Sequence, residues 1–230
     1  MKYIGIIFDG RYHAVLEQLT RLCHNGKLPV LGFDLDVKRF QGKHYSSAEH
    51  YGKPTKPDDM GRYNDLSGNT GVCYFAENSL TALAESYGRM YHHGRGHFAI
   101  SGSSLEIAQM YTLHPVFPLR LVDMATLASM LHLTADQLTG VDYTLTQAIT
   151  GYLANDPERD FHGIRYASRH YLAGMCLAVF EPEEGKLFKT LACESLSKYT
   201  DHQFLPVGWP YKDITAEEML VKILHFDVTL

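Results

Sequence analysis

The sequence of 230 residues lacks the segments that mark a membrane-spanning or multi-domain chain. No apolar run approaches the ~20 residues of a transmembrane helix. The apolar run in MKYIGIIFDGRYH at the N-terminus is short and has no small-residue cleavage site. No linker rich in serine, glycine and proline divides the chain, and no repeat with a period of about 20–50 residues is visible. These absences predict a single domain over residues 1–230 in a cytoplasmic protein.

Charge and cysteine content argue against two further classes. Lysine and arginine number 21 against 26 acidic residues, for a net charge of -5, and no face is obviously basic. We therefore expect no direct binding of nucleic acid. The cysteines form no CxxC pair and have apolar neighbours, which predicts reduced, buried thiols rather than disulfides or a zinc site. They are Cys23, Cys73, Cys176 and Cys193.

Common catalytic signatures are also missing. The GRG at residues 94–96 is too short for a phosphate-binding loop, and no G-x-S-x-G surrounds Ser168. His92, His93 and His97 form HHxxxH instead of the helical HExxH of zinc proteases, and the glycines beside them indicate a turn. We expect no metal site.

What the sequence does contain is a series of short strands and helices without a regular βαβ repeat. This order predicts an α+β fold, with central mixed or antiparallel strands and flanking helices. The predicted strands are residues 3–8, 32–40, 72–76, 117–122, 163–167, 175–180, 186–191 (as a hairpin partner of the preceding strand) and 226–230. The predicted helices are residues 15–22, 80–90, 135–138, 145–153 and 216–224. Ser79, Asp123 and Thr134 are expected to cap helices.

A long polar loop is predicted over residues 41–60, and long loops in compact domains are usually functional. Arg62 follows it, between Gly61 and Tyr63. Glycine allows an unusual backbone angle or a close approach, and the planar fork of arginine suits a pyrophosphate or a carboxylate. The alternative is a surface turn with an ordinary arginine.

Two further positions are candidates for chemistry. Glu85 adjoins the apolar face of its predicted helix, where a carboxylate can point into a cleft; the alternative is a solvated glutamate. Ser168 follows the strand at residues 163–167, where it can present a hydroxyl to a ligand. The alternative is a turn serine bonded to its own backbone.

In their order, these elements resemble the RES domain family. The resemblance rests on GRYN at residues 61–64, GVCYFAENSLTALAE at residues 71–85 and GIRYAS at residues 163–168. It covers about residues 32–181 and leaves residues 1–31 and 192–230 without an assigned role. The family also tends to carry an earlier arginine before an aromatic residue. Arg39-Phe40 is the natural counterpart, although the adjacent Lys38 leaves that register open.

The resemblance implies a fold similar to ADP-ribosyltransferases that holds NAD, as substrate, in a cleft. It also implies cleavage of the nicotinamide–ribose bond with transfer to water or phosphate. Glu85 would stabilise the positive charge that develops on the ribose, and Arg62 and Arg39 would hold the pyrophosphate. Ser168 would bind the nicotinamide amide or its ribose. Two tyrosines are implied in substrate binding: Tyr63 and Tyr166.

The resemblance further implies a toxin of a toxin–antitoxin pair, neutralised by a separately encoded antitoxin, and it is compatible with a homodimer. Two alternatives stay open. The same cleft suits a mono-ADP-ribosyltransferase that modifies a protein, which would put the label from NAD on a macromolecule. A non-enzymatic nucleotide-binding or interaction protein would bind without turnover, whether or not Glu85 is present.

Overall fold

The computed structural model of the chain describes residues 12–56, 59–93 and 98–229. The strand predicted over residues 3–8 lies outside this part of the chain, as do residues 94–96 of the turn predicted over residues 91–96. Residues 91–93 are not in a turn but form the end of the preceding helix. Among the described residues, no helix is both long enough and apolar enough to cross a membrane.

Helices and short strands alternate along the described chain. The strands are β1 (Val30–Phe33), β2 (Val37–Gln41), β3 (Val72–Ala76), β4 (Ala99–Ser101), β5 (Gln109–Pro115), β6 (Leu119–Asp123), β7 (Gly163–Ala167), β8 (Met175–Phe180), β9 (Phe188–Ser195), β10 (Thr200–Asp201), β11 (Ile214–Thr215) and β12 (Asp227–Thr229). The helices are α1 (His13–His24), α2 (Ser79–His93), α3 (Gly102–Ile107), α4 (Met124–Met130), α5 (Ala135–Thr139), α6 (Thr144–Ala154) and α7 (Ala216–Glu218), which continues as a π-helix over Met219–Ile223.

One eight-stranded sheet organises the fold, in the order β1-β6-β7-β8-β3-β2-β5-β9. Neighbouring strands are antiparallel except β6 and β7, which are parallel. Small pairs form between β10 and β11 and between β4 and β12. Mixed strands with flanking helices confirm the α+β expectation.

Both faces of the sheet are buried. The larger core, between the sheet and the helices, includes Leu83 of α2, Leu127 of α4 and Ile149 of α6. The smaller core, on the opposite face, includes Phe75 and Phe188, and the loop after β2 packs on it through Ala48. Burial on both faces explains why β3 and β8 are apolar throughout instead of alternating.

The sheet is weakly joined at its centre. β2 and β3 are paired only at Lys38 and Ala76, whereas β2 and β5 form five residue pairs and β3 and β8 form another five. Two strands that meet at a single position diverge beyond it. The sheet therefore opens between β2 and β3, and this opening positions the site described below.

Several predicted elements are confirmed, including the strands at residues 72–76, 163–167 and 175–180 and the capping box of Thr134. Ser79 is not the N-cap of α2. The Asn78 side chain accepts from the backbone N–H of Thr81 at 2.8 Å, and the buried Ser79 hydroxyl instead donates to Asp201 at 2.5 Å. Asn and Ser are similarly good caps, so local sequence could not choose between these neighbours.

Two strand predictions were wrong in their pairing. Residues 32–40 are not one strand, because β1 pairs with β6 and β2 pairs with β5 on the other side of the sheet. The strand after the turn at residues 181–185 is not a hairpin partner of β8. β8 pairs with β7 on one side and with β3 on the other, so no edge is left for β9, which pairs with β5 instead.

Candidate active site

A cleft of about 250 Å³ lies where β2 and β3 diverge. Helix α2, the turn between β7 and β8 and the segment between α5 and α6 complete its walls. The residues that line it include Arg39, Arg62, Tyr74, Glu85, Arg89, Tyr143, Tyr166, Arg169 and His170.

Glu85 lines this cleft and is held by four neighbours. Its Oε1 accepts from the Ser168 hydroxyl at 2.6 Å and from the backbone N–H groups of Arg169 at 2.8 Å and His170 at 3.5 Å. Arg62 Nη2 lies 4.0 Å from the same oxygen. The structure thus brings together the three residues that the sequence singled out, although they come from a loop, a helix and a turn.

Ser168 faces the carboxylate rather than the cleft. The side chain is 0% exposed, and its hydroxyl also accepts from the backbone N–H groups of His170 at 3.2 Å and Tyr171 at 2.9 Å. A hydroxyl has one proton to donate and two lone pairs, so all three positions are filled. No hydrogen-bonding position is left for a ligand.

Small residues on α2 let the turn at residues 168–174 approach the helix. A Cβ on Gly174 would overlap Thr81 Oγ1, and a Cβ on Gly88 would lie 2.6 Å from the His170 ring. Thr81, Glu85 and Gly88 are spaced i, i+4 and i+7, so they share one helix face. That face receives the turn and positions Ser168 against Glu85.

Arg62 is a buried cation, 8% exposed. Its guanidinium lies 5.3 Å from the ring centroid of Tyr166 and 5.6 Å from that of Tyr63. Burial lowers the pKa of Arg62, but the two tyrosines and Glu85 outweigh burial and raise it overall, so the side chain is charged. Its Nε has no hydrogen-bond partner within the described part of the chain. A buried donor without a partner is costly unless a ligand fills it.

Tyr74 fixes the turn that carries Arg62. Its hydroxyl accepts from the backbone N–H of Tyr63 at 3.1 Å and donates to Asn64 Oδ1 at 3.2 Å. A Cβ on Gly61 would lie 2.7 Å from the same hydroxyl. The glycine before Arg62 therefore allows the Tyr74 hydroxyl to approach the backbone closely, as its sequence context suggested.

Asp65 anchors the next part of that loop. The side chain is 3% exposed and accepts from Ser67 N–H and hydroxyl, from Thr70 N–H and from Asn155 Nδ2, at 2.7 to 3.0 Å. Asn155 follows α6, so Asp65 connects the loop to that helix.

We expect Asp65→Ala to lower the free energy of unfolding by about 2–4 kcal/mol, because several buried donors lose a charged acceptor. Asp65→Asn keeps one acceptor oxygen, so it should cost less. Urea titration of both variants and the wild type measures this. Equal midpoints for Asp65→Ala and the wild type would contradict the anchoring role.

The rings of the two predicted substrate-binding tyrosines contact each other at a tilt of 38°. The rings of Tyr63 and Tyr166 are 4.3 Å apart, and both are buried. Burial raises the pKa of Tyr63 to about 12. Tyr166 reaches the cleft lining, while Tyr63 supports the Arg62 guanidinium.

Arg39 lines the cleft from the side opposite Glu85. Its guanidinium contacts Cys73 Sγ and lies 5.6 Å from the ring of Phe75, in the smaller core. The structure does not bring Arg39 against Glu85. Lys38, its neighbour, donates instead to Thr112 Oγ1 at 2.9 Å.

Sequence reasoning missed one wall of the cleft. Arg169 donates to the Tyr143 hydroxyl at 2.8 Å and to Gly140 O at 3.3 Å, which connects the turn after β7 to the segment before α6. Arg169 could have been predicted to line the cleft because it follows Ser168 in the sequence. No feature of the sequence around Tyr143 indicates that it lines the cleft. Half-buried His170 completes this side, and burial lowers its pKa.

The cleft is cationic although the whole chain is acidic. Its lining includes one acidic residue, Glu85, and five lysine or arginine residues, of which Lys38 and Arg39 direct their charged groups to Thr112 and to the smaller core. The five are Lys38, Arg39, Arg62, Arg89 and Arg169. Such a concentration of one charge attracts anionic ligands. Among the described residues, no group of three histidine, cysteine or acidic side chains is placed to hold a metal ion, and His97 lies outside them.

Comparisons with known proteins identify a family and a shared fold. The family model described as RES domain matches residues 36–197. A chain of the crystal structure of the M. tuberculosis MbcT–MbcA toxin–antitoxin complex superposes with a TM-score of 0.60 at 14% identity. The superposition covers 92% of this chain and 97% of that one, and at this identity it shows a shared fold. No curated protein matches the sequence.

Proposed function

The chain belongs to the RES domain family, and from that premise we propose that it consumes NAD by cleaving the bond between nicotinamide and ribose. We propose further that it is a toxin with a separately encoded antitoxin, acting in the cytoplasm. The observation that carries the enzymatic proposal is the fixed position of Glu85 in a cationic cleft, between Arg62 and Ser168.

The reaction requires stabilisation of a cation. Loss of nicotinamide leaves oxocarbenium character on the ribose, and a fixed carboxylate beside that carbon stabilises it. Oε1 of Glu85 is occupied by its four neighbours, whereas no described residue bonds to Oε2. Oε2 is therefore the oxygen that we assign to the ribose.

The size and the lining of the cleft suit part of a dinucleotide. At about 250 Å³, the cleft falls just below the ~300–1,000 Å³ of small-molecule sites, so it suits the nicotinamide riboside half of NAD. Arginines are the residues best suited to the pyrophosphate. We assign the buried guanidinium of Arg62 to the pyrophosphate, and Arg89 and Arg169 line the cleft nearer the solvent.

Ser168 acts through Glu85 in this proposal and does not touch NAD. We expect Ser168→Ala to lower kcat about 10–100-fold by loosening the carboxylate, with KM for NAD nearly unchanged. Ser168→Cys keeps the size and a weak donor, so it should recover part of kcat.

A matched control is Ser79→Ala. Like Ser168, Ser79 is fully buried and donates to a carboxylate, in its case that of Asp201. It lies on α2 and does not line the cleft. Its loss should lower stability with little change in kcat. A rise in KM for Ser168→Ala with kcat unchanged would instead indicate direct contact with NAD.

Incubation of purified, antitoxin-free protein with NAD, with and without phosphate, tests the proposal. Mass spectrometry of the products identifies the acceptor. Free ADP-ribose indicates water, a phosphorylated ADP-ribose indicates phosphate, and label on a protein indicates transfer to a macromolecule. Intact NAD under all these conditions would overturn the enzymatic proposal.

A further inference from the structure

Strand β9 forms an open edge of the central sheet. It stands last in the strand order and pairs with β5 on one side. No other strand of the described chain pairs with it. An edge strand presents a row of unpaired N–H and C=O groups, which can pair with another strand.

A β-bulge divides β9 at its centre. Leu113 opposes Thr190 and Thr112 opposes Ala192, so Leu191 has no partner on β5. Leu191 is 51% exposed, an apolar side chain in the middle of an open edge.

The bulge places two opposite charges on one face. Lys189 opposes His114, and Glu194 opposes Met110. His114 and Met110 are four residues apart on β5, and side chains alternate with a period of two, so Lys189 and Glu194 point to the same face. Among the described residues neither forms an ion pair.

The bulge has the same effect on the other face of β9. Thr190 opposes Leu113 and Cys193 opposes Tyr111, two residues apart on β5. Thr190 and Cys193 therefore also share a face, the one that carries the smaller core.

We propose that β9 pairs antiparallel with β9 of a second copy of this chain, about a two-fold axis at Leu191 and Ala192. A two-fold axis perpendicular to the sheet reverses strand direction and preserves the faces. In this register Lys189 of each copy faces Glu194 of the other, and Thr190 faces Cys193. Symmetry makes each pair occur twice.

Charge complementarity selects this partner. Opposite charges across a strand pair stabilise it, and like charges destabilise it. A lysine and a bulge normally protect an edge against pairing with arbitrary strands. A second β9 satisfies both features, because it offers a glutamate opposite the lysine and a matching bulge. Leu191 of each copy then lies opposite Ala192 of the other, beside the axis.

Analytical ultracentrifugation of the purified chain over a wide concentration range tests the interface. We expect the wild type to approach twice the 26.0 kDa mass of one chain. Lys189→Glu and Glu194→Lys should each raise the dissociation constant about tenfold or more, because two attractive pairs become repulsive. The double variant restores both pairs and should dimerise like the wild type. Lys212→Glu and Glu158→Lys, at exposed positions outside β9 and its flanking turns, are the charge-matched controls.

Cysteine cross-linking tests the register independently. Thr190→Cys places a thiol opposite the exposed Cys193 of the second copy, at a separation that a disulfide can span. Oxidation should give a covalent dimer for Thr190→Cys and none for Thr190→Cys with Cys193→Ser. A wild type that stays monomeric at all concentrations would overturn the interface. Failure of the double charge reversal to restore dimers would overturn this register.

Discussion

Glu85→Gln is expected to lower kcat for NAD consumption by about 10³-fold while the chain stays folded. Glutamine keeps the size of the side chain and an oxygen that accepts from Ser168 and the backbone N–H of Arg169. It removes the negative charge that we assign to the ribose cation. Only an interaction that strengthens in the transition state is lost, so KM should change little.

The chain offers a matched control for this variant. Like Glu85, Glu77 is a partly buried glutamate beside an arginine, and it pairs with Arg165 at 2.5 Å. Unlike Glu85, Glu77 does not line the cleft. Glu77→Gln should affect stability and leave kcat within about twofold of the wild type. Circular dichroism and thermal unfolding of both variants separate lost chemistry from lost structure. Equal kcat for Glu85→Gln and the wild type would remove Glu85 from the mechanism.

Arg62→Lys is expected to lower kcat/KM about 100-fold, mainly through KM. The guanidinium lies over Tyr166 and Tyr63 and is almost fully buried. Lysine keeps the charge but loses the planar fork, and its compact ammonium loses more hydration in a buried site. The interaction that we assign to Arg62 holds the pyrophosphate in ground state and transition state alike, so KM carries most of the effect.

Arg159→Lys is the matched control for Arg62. Arg159 also stacks on an aromatic ring, with its guanidinium 5.3 Å from Phe180, and it lies outside the cleft lining. It should leave kcat/KM unchanged. Calorimetric titration of NAD into the Glu85→Gln protein, with and without Arg62→Lys, isolates binding from turnover. Equal affinities would assign the pyrophosphate to other residues of the lining.

Part of the candidate site could be anticipated, because three short segments of the sequence resemble the RES domain family. GRYN at residues 61–64 marked both the arginine and the glycine that approaches Tyr74, and the helix containing Glu85 follows a strand found at its predicted bounds. Tyr143 could not be anticipated, because only the course of the chain between α5 and α6 in the folded protein brings its side chain to the cleft. Ser168 was found, but its orientation depends on Gly174 and Thr81, which are distant in sequence.

The sequence by itself determined the α+β class and the bounds of several elements, and its resemblance to the RES domain family made Arg62, Glu85 and Ser168 the candidate site residues. The class and the bounds depend on periodicity, caps and turn residues, which act within a few residues. Only the tertiary structure decided that β9 pairs with β5, that the sheet opens between β2 and β3, and that Ser168 donates to Glu85. Such contacts join distant segments, and their geometry follows from how the whole core packs.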